Sequence, residues 1–432
     1  MKKFSLFAMV LLGSAAVYAD AVIDQVIVRQ QWPWSTDVKV EYRISGATNA
    51  VSIGVEAFNG GVPLDGEKLA SAISGTLYGI TGDVVGEFTI DPVKAFGDTG
   101  YVALANFKVK LTLRDDPGAG EVLYKIYDLD HETGTFPCTD VTRADLLNGK
   151  YGTVETNFGN IGPDFATSLS DVVIWTGVTN RPNAKTTELV MRKIPASGKT
   201  FRMGQAEIAT AVHDVTLTKD YYIGVFPVTQ MQYKMLSRNN SWQVKDEARP
   251  VGAGAYYSGY KAVVVGGISA NLGVAVDFPT EAQWEYACRA GTTSDLYTGK
   301  SLSTANVTPI GWWYNSTTSA GNSDNHAHDV GLLAPNAYGL YDMIGNVYEA
   351  CSDFWDVASN LPGYSDGSPV TDPTGPASAT RYLDNDPGKA PYYVMRGGYF
   401  GLSNSDLTSA GRNGNAGNWD AYGFRLAFTV GE

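Results

Sequence analysis

Two carboxylates, Asp342 and Glu349, stand in one short stretch, Pro335–Trp355, reading PNAYGLYDMIGNVYEACSDFW. Around them are the aromatics Tyr338, Tyr341, Tyr348 and Trp355 and the thiol of Cys351. Gly339 and Gly345 mark places where the backbone turns or another group approaches closely. The stretch is too short and too apolar for a solvated charge run. Oxygen side chains and turn carbonyls gathered in one loop are what a hard cation such as calcium requires. The competing reading is that the two acids cap or hydrogen-bond loop backbone. Spacing alone favours that second reading, since the stretch fits no EF-hand pattern.

Other reactive side chains are sparse. The chain has 3 cysteines, Cys138, Cys288 and Cys351, and no metal-type spacing among them. Ser403 and Ser405 have no histidine near them in sequence to activate them. The 4 histidines are His131, His213, His326 and His328. His326-x-His328 between Asp324 and Asp329 reads either as a transition-metal pair or as a structural loop, the latter favoured. Aromatics crowd the second half: Trp312-Trp313-Tyr314, Trp355, Tyr392-Tyr393, Tyr399 and Trp419. Asn404, Asp406, Asn413, Asn415, Asn418 and Asp420 lie among the last loops. Rings and amides together suit a cleft for a sugar or a peptide, although any one ring serves equally well as core.

The elements that must position these groups follow from pattern. The chain has 432 residues, long enough for two or three domains, with 44% hydrophobic and 18% charged residues, an ordinary globular balance. A net charge of -13 argues against nucleic acid or an anionic membrane as the main partner. Residues 1–19 have a basic start at Lys2 and Lys3, an apolar run and small residues near Ala19. That is the pattern of a signal peptide cut after Ala19, and the run is short for a membrane span. The expected mature protein is exported (secreted, periplasmic or at the cell surface) and has no membrane span.

Residues 20–130 read as an all-β sandwich of immunoglobulin or fibronectin type. Runs such as DVKVEYRIS, AVSIGVEAF and VLYKIYDL are separated by turn signals such as SGATN, and Val38, Val40, Tyr42 and Ile44 share one face. Trp32 and Trp34 read as sandwich core rather than as a sugar platform. Residues 131–189 are a linker or the leading strands of the next domain. From residue 190 two helix starts are legible. Thr229 with Gln232, and Thr280 with Gln283, have capping-box spacing, and Gly291 suits the second helix's end. Trp284, Ala287 and Cys288 then share a core face.

Five segments resemble one known family in order: Val215–Leu236, Phe278–Gly291, the Pro335–Trp355 stretch, Val394–Phe400 (VMRGGYF) and Gly423–Phe428 (GFRLAF). They are similar to the signatures of the formylglycine-generating enzymes, the sulfatase-modifying factor family. The resemblance implies an α+β, C-type-lectin-like domain over residues 190–432. It also implies a structural calcium held by the Asp342 and Glu349 side chains and the Gly345 and Val347 carbonyls. The family's two catalytic cysteines, which lie near a copper site, fall at about Leu402 and Leu407, so no copper is expected here. The thiol corresponding to Cys288 has a family partner at about Ser409. Cys288 therefore either pairs with Cys351 or stays, like it, a buried free thiol. The HDVG segment His328–Gly331 resembles a loop that the family carries without metal. The reading is thus a binding or scaffolding module for a protein, peptide or glycan, with no catalytic residues assigned. The alternatives are an enzyme of the same fold with unassigned chemistry, or, disfavoured, sulfatase maturation itself.

Overall fold

The computed structural model describes residues 21–431 except 32–34, 98–103, 105, 152–175, 207–211, 253–255, 357–360, 404–405 and 418. Residues 1–19, expected to be a signal peptide, and Trp32, Trp34, Asn404, Ser405 and Asn418 lie outside the described residues. The chain divides into two compact units, residues 1–123 with 141–152, and residues 124–140 with 153–432.

The first unit is organised on one long strand, Val38–Asn59. Its first half pairs with Val22–Gln30 on one side and Ile80–Ile90 on the other, and its second half pairs with Lys108–Asp115. The alternation seen in sequence is kept: Val38, Val40, Tyr42 and Ile44 are all buried. Where SGATN was expected to be a turn, the strand continues through register shifts between Ile44 and Ala47 and between Ala47 and Val51. Beyond them the buried face resumes with Val51, Ile53 and Ala57. Such bulges bend a strand without ending it, and changing partners along one strand is consistent with a β-sandwich. Opposite Tyr42 sits Gly86, where an added Cβ would lie 2.3 Å from the tyrosine hydroxyl oxygen, so the ring needs a glycine there. Three short helices, Gly66–Ala72, Pro92–Phe96 and Arg143–Leu147, also belong to the unit.

The second unit holds a five-stranded and a four-stranded sheet. The first runs in the order Ala427–Thr429, Tyr221–Gly224, Glu188–Ile194, Val122–Asp128, Cys138–Thr142. The second runs Arg412–Asn415, Tyr393–Arg396, Tyr348–Phe354, Tyr422–Phe424. The strand Val122–Asp128, expected in the sandwich, pairs instead with Glu188–Ile194, its Tyr124 against Arg192 and Ile126 against Val190. The first unit therefore ends at residue 123 and takes back residues 141–152, where a single boundary at 130 was expected, and residues 131–140 and 176–189 lie in the second unit, the alternative of leading strands.

Both capping boxes form. Thr229 caps Gln230–Ser237 and Thr280 caps Glu281–Arg289, each with reciprocal bonds to the glutamine three residues on. At the end of the second helix it is Ala290, not Gly291, that takes the left-handed C-cap. Trp284, Ala287 and Cys288 are fully buried, as the face pattern required. Among the described residues no helix is long and apolar enough to cross a membrane.

Candidate functional site

The loop that begins at Pro335 leads into the central strand Tyr348–Phe354, and Glu349 is wholly buried there. Its Oε1 accepts Arg425 Nη2 at 2.6 Å, and its Oε2 accepts Arg425 Nε at 2.6 Å and Trp284 Nε1 at 2.7 Å. The same guanidinium donates to the carbonyls of Gly224, Val225 and Tyr341 at 2.8, 3.2 and 2.9 Å. A bidentate arginine is the strong partner for a carboxylate, and it places a full positive charge against Glu349.

Asp342 is also enclosed. Its Oδ2 accepts the Gly331 N–H at 2.7 Å and its Oδ1 accepts the Asn346 amide at 3.3 Å. Burial pushes its carboxyl up to about 6, against the opposing pull of the Gly331 N–H and Arg425. Gly345 turns the chain at φ 73°, donates its N–H to the Gly397 carbonyl, and passes so close to Trp312 that a Cβ would lie 2.3 Å from that residue's carbonyl oxygen. Val347 is buried and packs with Ala327, Phe400 and Ala421.

Asp342, Gly345, Val347 and Glu349 are the set expected to hold calcium. The protein's own donors engage both carboxylates, and a guanidinium stands where a cation would have to approach Glu349. Among the described residues no cluster of three or more His, Cys, Asp or Glu is placed to hold a metal ion.

A second buried charge network escaped the sequence reading. On the helix Glu281–Arg289, Glu285 meets Arg289 at 2.8 Å and is also bonded by Arg396, while Arg412 holds Glu281 with Nε at 2.7 Å and Nη2 at 3.0 Å. Burial pushes Glu285 up, but Arg289, Arg396 and the Gly204 N–H pull it below the ordinary carboxylate range. Glu281, Glu285 and Arg289 recur at four-residue spacing beside the core positions Trp284 and Cys288. That signal was present in the sequence.

The remaining candidates separate. Leu407 is core, and Leu402 packs half-buried against the same cluster. All three cysteines are free, Cys138 exposed and the others buried. Desolvation raises each thiol's pKa: that of Cys138 although its residue is exposed, that of Cys288 to about 12 and that of Cys351 well above its ordinary value. None is disposed to be a thiolate at neutral pH. His328 stacks on Trp312 with ring centroids 3.8 Å apart, its Nε2 lying 2.8 Å from the Ser323 carbonyl. His326 lies beside the Asp324 carbonyl, so this segment is a closed structural loop.

Of the aromatics, Trp313 is buried and bonds to Thr308, Tyr393 is core, and Trp355 lies under Arg412. Tyr399 and Trp419 instead join Tyr348 and Tyr422. The centroids are 5.3 Å apart for Tyr348–Tyr399, 5.8 Å for Tyr399–Trp419, 6.1 Å for Trp419–Tyr422 and 5.9 Å for Tyr422–Tyr348. The four rings form a closed circuit, and Trp419 is 53% exposed. At its edge Tyr348 donates to Asp406, and the Asn413 amide lies 3.2 Å from both the tyrosine oxygen and Asp406 Oδ2. Asp420 is exposed nearby in sequence, and Asn415 is occupied with the Gly417 N–H.

An α+β domain with few helices, its long loops pinned by buried arginine–carboxylate contacts, is the class that this architecture defines. Residues 179–430 match the sulfatase-modifying factor enzyme 1-like domain, and the chain belongs to that family. It is 36% identical over 115 residues to a formylglycine-generating enzyme of Streptomyces coelicolor, covering 24% of this chain and 33% of that protein. It is 32% identical over 104 residues to the mouse enzyme, covering 23% of this chain and 26% of the other. These alignments thus span about a third or less of the curated relatives. Among solved structures it is similar to Treponema denticola variable protein 1, at TM-score 0.45 and 24% identity, covering 56% of this chain and 95% of that one. PvdO from Pseudomonas aeruginosa aligns at TM-score 0.42 and 23% identity, covering 56% and 94%.

Proposed function

We propose that this protein is an exported, non-catalytic member of the family that binds a peptide or glycan on the surface around Trp419. The observation that carries this reading is the state of the thiols. The segment Arg396–Leu407 has no cysteine, and the two cysteines elsewhere in the domain core are buried with raised pKa values. Oxidising a substrate thiol through enzyme thiolates requires thiolates that can be reached. At the positions where the resemblance sets the cysteines, Leu407 is core and Leu402 packs half-buried against the same cluster.

The ring circuit of Tyr348, Tyr399, Trp419 and Tyr422 supports the binding half of the reading. A large exposed ring set among smaller polar side chains is the composition that carries affinity at recognition surfaces. Asp406 and Asn413 supply directional acceptors and donors at its edge. Calcium and copper have no part in this reading.

The test has two arms. Incubation of the purified mature protein with a Cys-x-Pro-x-Arg peptide, with and without copper, is expected to leave the peptide mass unchanged. A protein-dependent mass loss at the peptide cysteine would return the chain to sulfatase maturation. On glycan and peptide arrays, Trp419→Ala is expected to lower retention of any ligand by about tenfold or more, the scale of a hot-spot aromatic. Unchanged retention would move the binding surface elsewhere.

A further inference from the structure

A cavity of about 320 Å³ opens on the side of the helix Glu281–Arg289, apart from the Trp419 surface in residues and in sheet position. Its walls are largely apolar, from Met203, Ala282, Leu361, Tyr364 and Val370. This volume is at the lower end of the range for small-molecule sites. One charged side chain in that wall is not neutralised in the way its neighbours are. Asp353 is 3% exposed, and all its hydrogen bonds fall on one oxygen: Oδ2 accepts the Glu281 N–H at 2.9 Å and the Ser352 hydroxyl at 3.4 Å. Among the described residues Oδ1 takes no hydrogen bond. Gly375, at φ +71°, lies over it, and a Cβ there would come within 3.2 Å of Oδ1. The missing side chain leaves that oxygen open to the cavity.

The cations in the neighbourhood are committed. Arg412 forks onto Glu281, and Arg396 is shared between Glu281 and Glu285. Arg289 serves Glu285. Burial, with the charge of Glu281 beside it, pushes the Asp353 carboxyl up to about 7, against smaller opposing pulls from the Glu281 N–H, Ser352 and Arg412. A buried carboxylate with an unmet acceptor wants a charged donor.

From this geometry we infer a binding site for a primary ammonium group on a short apolar stem, the ammonium donating to Asp353 Oδ1 and the stem filling the cavity. A carboxylate ligand of the same shape is excluded, because Asp353 and Glu281 would repel it. The ammonium has two sources, a free amine or a lysine side chain of a peptide, and the probes separate them.

The experiment is calorimetric titration of the full mature chain at pH 8 with phenethylamine, Nα-acetyl-lysine amide and phenylacetate. Saturable binding of one cation per chain is expected, and no binding of phenylacetate. Stronger binding of the lysine amide would assign a peptide source, and stronger binding of phenethylamine a free amine. Asp353→Asn keeps an oxygen for the Glu281 N–H and is expected to weaken binding by roughly tenfold or more, the value of a charge-assisted bond. Thr374→Trp, at the exposed rim, is expected to block entry without touching the core. Binding should also fade as pH falls below 7 and Asp353 takes its proton. No saturable binding of either cation at millimolar concentration, equal binding of phenylacetate, or undiminished binding in both folded variants would overturn the site.

Discussion

Glu349 and Arg425 form a buried pair whose two halves are unequal to lose. Arg425→Met would leave a buried carboxylate with one indole donor, and is expected to cost about 3–5 kcal/mol in chemical denaturation. Adding Glu349→Leu to it should recover part of that loss, because the stranded charge is gone. Melting in millimolar calcium and in chelator is expected to coincide. A calcium-dependent rise that Glu349→Gln abolishes would mean the ion can displace Arg425. Asp353 gives a pH signature of its own. Its folded pKa of about 7 lies above its ordinary 3.8, so its contribution to stability is present at low pH and is lost as pH rises through 7. By the same linkage the loss is roughly 4 kcal/mol at most. The melting temperature of Asp353→Asn relative to the native protein is therefore expected to rise between pH 4 and pH 8. A flat difference would show that another group absorbs the charge. Ser409 offers a third test. It is wholly buried and faces the Cys288 thiol, whose ionisation it favours against the larger effect of burial. Ser409→Cys is expected to form a disulfide with Cys288 on oxidation, read as the loss of two titratable thiols and a mass two hydrogens lighter.

At the level of elements, local chemistry was legible and distant pairing was not. Both capping boxes and the Trp284–Cys288 face were readable because each is decided within a few residues. The partners of Glu349 and Glu285 lie 76 and 111 residues away, at Arg425 and Arg396, and no spacing rule reaches that far. The calcium reading came from the right residues: Asp342 and Glu349 do need positive or donating partners. What sequence could not show is that Arg425, the Trp284 indole, the Asn346 amide and the Gly331 N–H all reach them. The long strand Val38–Asn59 was misread at SGATN because the residues that make a turn also make a bulge, and only the flanking pairing decides between the two. The strand Val122–Asp128 was assigned to the wrong unit for the same reason. It brings a test with it: a chain starting at His131 lacks the strand that buries Tyr124 and Ile126 against Glu188–Ile194. Such a chain is expected to lose its sharp thermal transition, whereas one starting at Gly120 should retain it. Cooperative melting of both would mean the strand is dispensable.

Across the whole molecule, the two units are not consecutive in sequence. The chain leaves the first at residue 123, returns at 141 and leaves again at 152. This interleaving has a consequence for the order of events during synthesis. The first unit is not complete until residues 141–152 have been made. The strand Val122–Asp128 is made before its partner Glu188–Ile194, which in turn precedes Tyr221–Gly224. One edge strand of that sheet, Ala427–Thr429, is made long after its partner Tyr221–Gly224. The five-stranded sheet thus stays incomplete until Ala427–Thr429 has been made. Until then Tyr221–Gly224 lacks its second neighbour and keeps one edge unpaired. That interval is when such an edge is most open to pairing with another chain.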